Sequence, residues 1–243
     1  MRKFVLFLFI SCLSLSLIKA HSVTENNFLT VSATSGLSLR FEPGQSADII
    51  SVIPFGATVE VIERCEDDLV ETIEWTKGSW VYVLYNNRKG YVFDGYLTAL
   101  PLPEFEFEQV ISDMDLIYPL SSWAEHRFNE VTKVDTIIKK DMTKIIKVLA
   151  EGVILKEYED DFVFKTELEL DKVRLMDAYH LLLNMMDKYE RATFQNKTIF
   201  ITDENYELSK IKVNLDSPVN ISKIDENRIR ITINNYEKEC RLI

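Results

Sequence analysis

The chain has 243 residues, of which 47% are hydrophobic and 28% charged, and its 39 acidic and 28 basic side chains give a formal net charge of −11. This negative net charge, without a long basic cluster, excludes binding to nucleic-acid phosphates and charge-driven adhesion to anionic lipid. The length predicts two domains.

Residues 1–20 have the pattern of a secretory signal peptide. Two basic residues, Arg2 and Lys3, precede an apolar run, and cleavage is expected after Ala20. The alternative is a lipoprotein processing site that would leave a lipid on Cys12. In either case the protein is exported, to the periplasm or beyond the cell. The apolar run is too short to span a bilayer comfortably, so no transmembrane segment is expected in the mature chain.

Short strands separated by glycine and proline dominate residues 28–100. An alternating run before the turn sequence at 86–90 is followed by a second apolar strand, which predicts a β-hairpin. Upstream, the segments 35–44 and 49–62 carry further short strands and turn residues. Short strands separated by turn residues at such regular intervals predict a small antiparallel barrel.

Three motifs in this region resemble those of a bacterial SH3-type (SH3b) domain. They are Gly-Leu-x-Leu-Arg-x-x-Pro at 36–43, a strand before the Pro-x-Gly turn at 54–56, and a hairpin that starts with Trp-Val-x-Val at 80–83 and closes with Gly-Tyr-Val at 90–92. They occur in the family's order, although the family usually has Asn at the position of Ser38. The resemblance implies an SH3-like barrel that serves as a binding module, often of the cell envelope.

The same resemblance suggests where a ligand would bind. Trp75, Tyr91 and Tyr96 would stack on it, and Asp94 would supply a polar anchor. The expected partner is a peptidoglycan peptide or an envelope protein. The alternative is that such aromatic side chains belong to the core of a packing scaffold.

The strand at 80–85 is apolar on both faces. SH3b relatives commonly carry polar residues at the positions of Tyr82 and Leu84, so both faces of this strand should be covered. The predicted cover is the C-terminal domain or the linker with Phe105 and Phe107. A partner or a ligand is the alternative.

The proline-rich segment 101–108 is predicted to be a linker, followed by a second domain at 109–243. Two cysteines, Cys65 and Cys240, lie in different halves of the chain. In an export compartment they could form a disulfide or remain free thiols, and both readings stay open. Their spacing excludes a zinc knuckle.

The second domain is predicted to be α+β, with one main helix on a mostly antiparallel sheet. Asp171 would cap a helix from Lys172 to about Tyr189, whose apolar residues recur at three- and four-residue steps. A strand is expected at 162–170. Turn residues after the helix separate four further strand candidates, at Thr198–Thr202, Leu208–Leu215, Val219–Ile224 and Arg228–Ile233.

Two segments of this domain are less regular. The apolar residues of segment 134–149 have helical spacing. The second part of this segment could equally form a strand that pairs with residues 153–158 across a tight turn, and we favour the strand. An irregular stretch precedes a helical turn after Ser122, a good N-cap. The helix-then-strands tail resembles the uncharacterised part that follows the SH3b module in some secreted proteins of Gram-negative bacteria, which implies no activity.

Catalytic groups are scarce. The three histidines are His21, His126 and His180, and none has another His or Cys at metal-ligand spacing. His180 is interpreted as a structural or surface residue. A papain-like peptidase would need a histidine downstream of its cysteine, and none follows Cys240. We therefore expect no enzyme activity, no metal and no cofactor.

These observations favour an exported, non-enzymatic binding or adaptor protein of the bacterial cell envelope. A second hypothesis is a structural assembly component in which the chain's own C-terminal domain covers the SH3b face. A third and weaker hypothesis is a hydrolase with a site near His126.

Overall fold

The computed structural model describes residues 27–64, 70–103, 117–129, 131–139, 142–160 and 163–236. In these residues the protein is mostly antiparallel β, with two sheets and three α-helices. The predicted signal peptide with Cys12, most of the predicted linker, Cys65 and Cys240 lie outside the described residues. Cleavage, lipidation and a disulfide therefore stay predictions.

The N-terminal sheet has eight short strands. They are β1 (Phe28–Val31), β2 (Leu37–Arg40), β3 (Ile49–Ile53), β4 (Thr58–Arg64), β5 (Val70–Ile73), β6 (Thr76–Tyr85), β7 (Arg88–Phe93) and β8 (Leu97–Thr98). Their spatial order is β3-β2-β7-β6-β4-β1-β8, and β5 pairs with β6. The predicted hairpin is confirmed as β6–β7, and its turn residues Asn86 and Asn87 both have positive φ, as a tight hairpin turn requires.

Alternation along β6 determines which side chains form the core of this sheet. Val81 and Val83 are fully buried, whereas Tyr82 and Leu84 on the opposite side are only partly buried. Gly90 in β7 permits a close approach to β2, because a Cβ there would lie 2.6 Å from the carbonyl oxygen of Arg40. A larger residue at this position would separate the two strands.

The C-terminal sheet also has eight antiparallel strands. They are β9 (Lys133–Lys139), β10 (Met142–Val148), β11 (Ile154–Asp160), β12 (Val163–Asp171), β13 (Thr198–Thr202), β14 (Leu208–Val213), β15 (Val219–Lys223) and β16 (Arg228–Tyr236). Their order is β13-β14-β15-β16-β12-β11-β10-β9. The four strands predicted after the helix are confirmed, and so is the strand at 162–170.

Three helices cover one face of the C-terminal sheet: α1 (Ile117–Arg127), α2 (Leu175–Asn184) and α3 (Lys188–Asn196). On that face five buried side chains face each other across neighbouring strands: Leu155, Leu168, Ile231, Ile221 and Ile211. Burying each such side chain, rather than leaving it in water, stabilises the folded state by roughly 1.5–3 kcal/mol. The other face carries ion pairs, as is usual for an antiparallel sheet with one solvated face. We call this sheet with its three helices the C-terminal layer.

The prediction of one main helix from Lys172 to about Tyr189 was wrong, because two helices occupy this region. The first begins after Arg174, not after Asp171. Lys172 has a φ of 58°, which a continuous helix cannot contain. The N-terminus of α2 is capped instead by Asp177, whose carboxylate accepts the main-chain N–H of Arg174 at 3.2 Å.

The second helix begins at a cap that the apolar pattern concealed. The Asp187 carboxylate accepts the main-chain N–H groups of Tyr189 at 2.7 Å and of Glu190 at 2.9 Å. This is the ordinary chemistry of a helix N-cap, so a new helix starts there. The buried side chain of Met186, just before the cap, continued the apolar stripe and hid the break.

The two less regular segments are also settled. In the described part of this segment, residues 134–139 belong to β9 and residues 142–148 form β10, so the helical alternative was wrong. The favoured turn into β11 is confirmed. The helix predicted to begin after Ser122 begins earlier, because α1 already starts at Ile117. Pro119 lies in its first turn, where no helical N–H is needed. Each described helix is too short to cross a membrane.

Candidate functional site

An arginine just before α2 joins the C-terminal layer to the N-terminal sheet. The Arg174 guanidinium donates to the carbonyl oxygens of Asp94 at 3.3 Å and Leu97 at 2.7 Å. It also binds the Asp177 carboxylate at 2.7 Å. Because Asp177 caps α2 as well, the same residue fixes the start of the helix and the direction of the guanidinium.

Aromatic and charged pairs extend this contact along β13. The ring of Trp75 stacks on Phe200 with 5.4 Å between centroids and 11° between planes. Trp75 and Glu74 both have positive φ in the tight turn between the paired strands β5 and β6. Beside it, Lys77 pairs with Glu207 at 2.8 Å.

His180 lies at the centre of the contact. Its ring stacks on that of Tyr96 at 5.5 Å, and its Nδ1 is 3.4 Å from the Ser32 hydroxyl. That hydroxyl donates its hydrogen to the Tyr96 carbonyl at 3.1 Å. We therefore assign the proton between Ser32 and His180 to the histidine Nδ1. Burial lowers the pKa of His180 to about 4, so the imidazole is neutral at pH 7.

A cleft of about 350 Å³ opens beside His180 and receives walls from both parts of the chain. One wall is formed by residues 32–38, which are the β1–β2 loop and the start of β2. The aromatic residues are Trp80, Phe93 and Tyr96, and the polar ones include Arg40, Gln45, Glu74 and Gln195. Polar residues make up about half of the lining, which is more polar than a typical small-molecule pocket, while the volume is in the range usual for ligand sites.

The cleft contains one basic and one acidic group. Arg40 is held by a hydrogen bond from Nη1 to the carbonyl oxygen of Ala47 at 2.5 Å. Glu74 accepts a hydrogen bond from the Tyr96 hydroxyl at 3.1 Å. Burial and the charge of Glu74 raise the pKa of Tyr96 to about 12, so this phenol stays protonated as a donor. The cleft therefore presents fixed groups of both signs.

The four predicted ligand residues are not gathered in one place. Tyr96 lines the cleft, and Trp75 lies at the contact with β13. Asp94 is structural, because its Oδ1 accepts the Ser79 main-chain N–H at 2.7 Å. The Tyr91 ring packs against that of Tyr82, 4.9 Å away, and is not among the residues that line the cleft.

The cover predicted for Tyr82 and Leu84 stays a prediction. Both side chains are partly buried, and Tyr82 rests on Tyr91. The contacts described above between the two parts of the chain use the β5–β6 turn and residues 94–97 instead. The linker residues Phe105 and Phe107 lie outside the part of the chain that the structure describes.

Several important residues escaped the sequence analysis. His180 was interpreted as a lone histidine, and Arg174, Arg40 and Glu74 were not singled out. Ser32 and His180 are 148 positions apart, so no local pattern connects them. Only the docking of the two sheets brings these groups together.

The other candidate histidine has a simpler setting. His126 is exposed in the last turn of α1, and its neighbour Glu125 is bound by Lys147. Within the described ranges there is no group of three or more His, Cys, Asp or Glu side chains that could hold a metal ion.

Comparison with known families identifies the first part of the chain. Residues 35–98 match the family model of the bacterial SH3 domain, which confirms the resemblance seen in the three sequence motifs. This segment of the chain, from the β1–β2 loop to β8, is a bacterial SH3 domain. No curated protein and no solved structure matches the chain.

Proposed function

We propose that this protein is an exported, non-enzymatic binding protein of the bacterial cell envelope, and that the cleft between its SH3 domain and α2 binds a cell-wall peptide. The observation that carries the proposal is that one basic group, Arg40, and one acidic group, Glu74, line the same cleft together with aromatic side chains. Peptidoglycan peptides carry both carboxylates and amino groups. Arg40 suits a carboxylate and Glu74 suits an ammonium group.

Export is supported by the signal-like pattern of residues 1–20. The SH3 domain itself supports a binding role, with its eight-stranded sheet taken as a small SH3-like barrel followed by an α+β domain. These inferences belong to the proposal and rest on sequence pattern and family resemblance.

A non-enzymatic role is supported by the state of Ser32. A serine beside a histidine has the composition of a nucleophile and its base. Ser32, however, is only 2% exposed, and its hydroxyl is bound to the Tyr96 carbonyl. Its hydrogen does not point to the imidazole, so we interpret the pair as a structural bridge.

Binding to purified peptidoglycan sacculi tests the proposal. We expect residues 21–243 to sediment with sacculi, and Arg40→Ala to weaken binding about tenfold or more, because a charge-assisted hydrogen bond contributes roughly 1.5–3 kcal/mol. Arg88→Ala is the matched control, since Arg88 is exposed at the β6–β7 turn of the same domain. Equal binding by wild type and both variants would exclude Arg40 as a ligand group.

The second candidate function is the structural assembly component. It is favoured by the stacking of Trp75 on Phe200 and by the bridge from Arg174, which use part of the SH3 surface within the chain. If the full chain does not bind sacculi but residues 21–103 do, the C-terminal layer masks the site. If neither binds, the assembly role is preferred, and crosslinking in cells should identify the partner.

A further inference from the structure

Strand β9 is the last strand of the C-terminal sheet. It pairs with β10 over its whole length, from Lys133 to Lys139. In the described residues no strand pairs with its other edge, whose main-chain N–H and C=O groups are thus available to a further strand. Such an edge is a template for β-pairing with another chain.

The side chains of this edge are unusually apolar for an exposed position. Val134 is 55% exposed, Ile137 38% and Ile138 74%, and Val131 just before the strand is 48% exposed. Charges are among the devices that protect an open edge, and β9 carries three of them, Lys133, Asp135 and Lys139, beside these apolar side chains. Four exposed apolar side chains in one short stretch indicate a surface that a partner covers.

The charges of β9 indicate which partner fits. Lys133, Asp135 and Lys139 lie on the same face as Ile137, because alternate residues of a strand share a face. If two copies pair antiparallel about a two-fold axis at Ile137, Asp135 of each copy lies opposite Lys139 of the other. The two Ile137 side chains then face each other. The strand is self-complementary in this register.

We propose that β9 pairs with β9 of a second copy of this chain, joining the two C-terminal sheets into one continuous sheet. An axis one residue earlier, at Thr136, would put Lys133 opposite Lys139 and is disfavoured by repulsion. Asp135 already binds Lys133 through Oδ2 at 2.7 Å, which leaves its other oxygen for the partner lysine. Two-fold pairing of one surface with itself is the commonest form of homodimer.

This inference does not depend on the function of the cleft. If the proposed function also holds, the dimer presents two SH3 domains to a repeating wall polymer. Simultaneous binding of both would then strengthen attachment without any new contact.

Analytical ultracentrifugation of residues 21–243 tests the dimer. We expect a reversible dimer whose dissociation constant rises about tenfold or more in Lys139→Glu, because two symmetric pairs become repulsive at once. The double change Asp135→Lys with Lys139→Asp should restore the dissociation constant to within about threefold, since it exchanges the two charges. Lys223→Glu, on the distant strand β15, is the control and should leave the dissociation constant of the dimer unchanged.

A crosslinking experiment tests the register. In a Cys65→Ser/Cys240→Ser background, Ile137→Cys should form an intermolecular disulfide. Opposing side chains of a strand pair have Cβ atoms about 4.5–5.5 Å apart, so a small local shift brings them to the separation of about 3.5–4.5 Å that a disulfide requires. Ile199→Cys on β13, at the other end of the sheet, is the control and should not crosslink.

Two outcomes would overturn the proposal. A wild-type protein that stays monomeric at the highest attainable concentration would exclude the second copy, and protection of Ile138→Cys from thiol reagents in that monomer would assign the edge to another segment of the same chain. A dimer that tolerates Lys139→Glu and does not crosslink through Ile137→Cys would place the interface elsewhere. Loss of sacculus binding alone would concern the cleft and not β9.

Discussion

Replacing Arg174 with alanine should undock the SH3 domain from the C-terminal layer. The variant loses charge-assisted hydrogen bonds to the Asp94 and Leu97 carbonyls and removes the guanidinium that binds Asp177. Since Arg174 is partly exposed, we expect a cost of about 2–3 kcal/mol in the docking free energy. Urea unfolding should change from one coupled transition to two separate ones.

Arg228→Ala is the matched control for this change. Its guanidinium binds Asp171 within the C-terminal sheet and lies at the surface, so its loss should leave the coupling intact. Small-angle scattering of Arg174→Ala should show a more extended particle than the control. If both variants kept the compact dimensions and the single transition of the wild type, the stacking of Trp75 on Phe200 would be the dominant contact.

Acid should weaken the same contact through His180. Burial lowers the pKa of this histidine from 6.5 to about 4, with Asp177 and Glu74 opposing the shift and Arg174 adding to it. The docked state therefore prefers the neutral imidazole. The stability that this preference contributes is complete above about pH 6.5 and is lost as the pH falls from there towards 4. The loss should reach about 2–3 kcal/mol.

Comparison with a variant that cannot titrate isolates this effect. We expect the free energy of unfolding, measured in urea at about pH 7 and pH 4.5, to fall more in the wild type than in His180→Gln by that amount. The exposed His126→Gln should behave as the wild type does. The carboxylates titrate in all three proteins, so their contribution cancels when the losses in unfolding free energy are compared. An equal loss in all three would show that His180 does not sense pH.

Local chemistry explains why the SH3 domain was predictable from the sequence. Its strands alternate, and its hairpin turn carries the residues that it requires, Asn86 and Asn87 at positive φ. Within β7, Gly90 leaves room for the carbonyl oxygen of Arg40. The later strands of the C-terminal sheet were predictable for the same reason. Asp203 and Asp225 lie in turns between them, where their carboxylates accept the main-chain N–H groups of Asn205 and Asn227.

The same local rules failed where two signals overlapped. An apolar stripe continued across the junction of α2 and α3, and only the cap at Asp187 separates them. In β9 and β10 a stripe with helical spacing was overruled by pairing with neighbouring strands. Pairing energy is non-local, so a short apolar run is ambiguous until its partner is known.

The sequence by itself determined the short strands of the first sheet and the antiparallel tail, because periodicity and turn residues act over a few neighbouring positions. Its three motifs resembled the SH3 family, and the export signal stays a prediction. Only the tertiary structure decided the cleft. Tyr96 was a candidate from the sequence, but its contact with His180, the bridge from Arg174 and the approach of Ser32 arise when two distant sheets dock. Contacts between residues 148 positions apart leave no period in the chain, since surface shape rather than spacing brings them together.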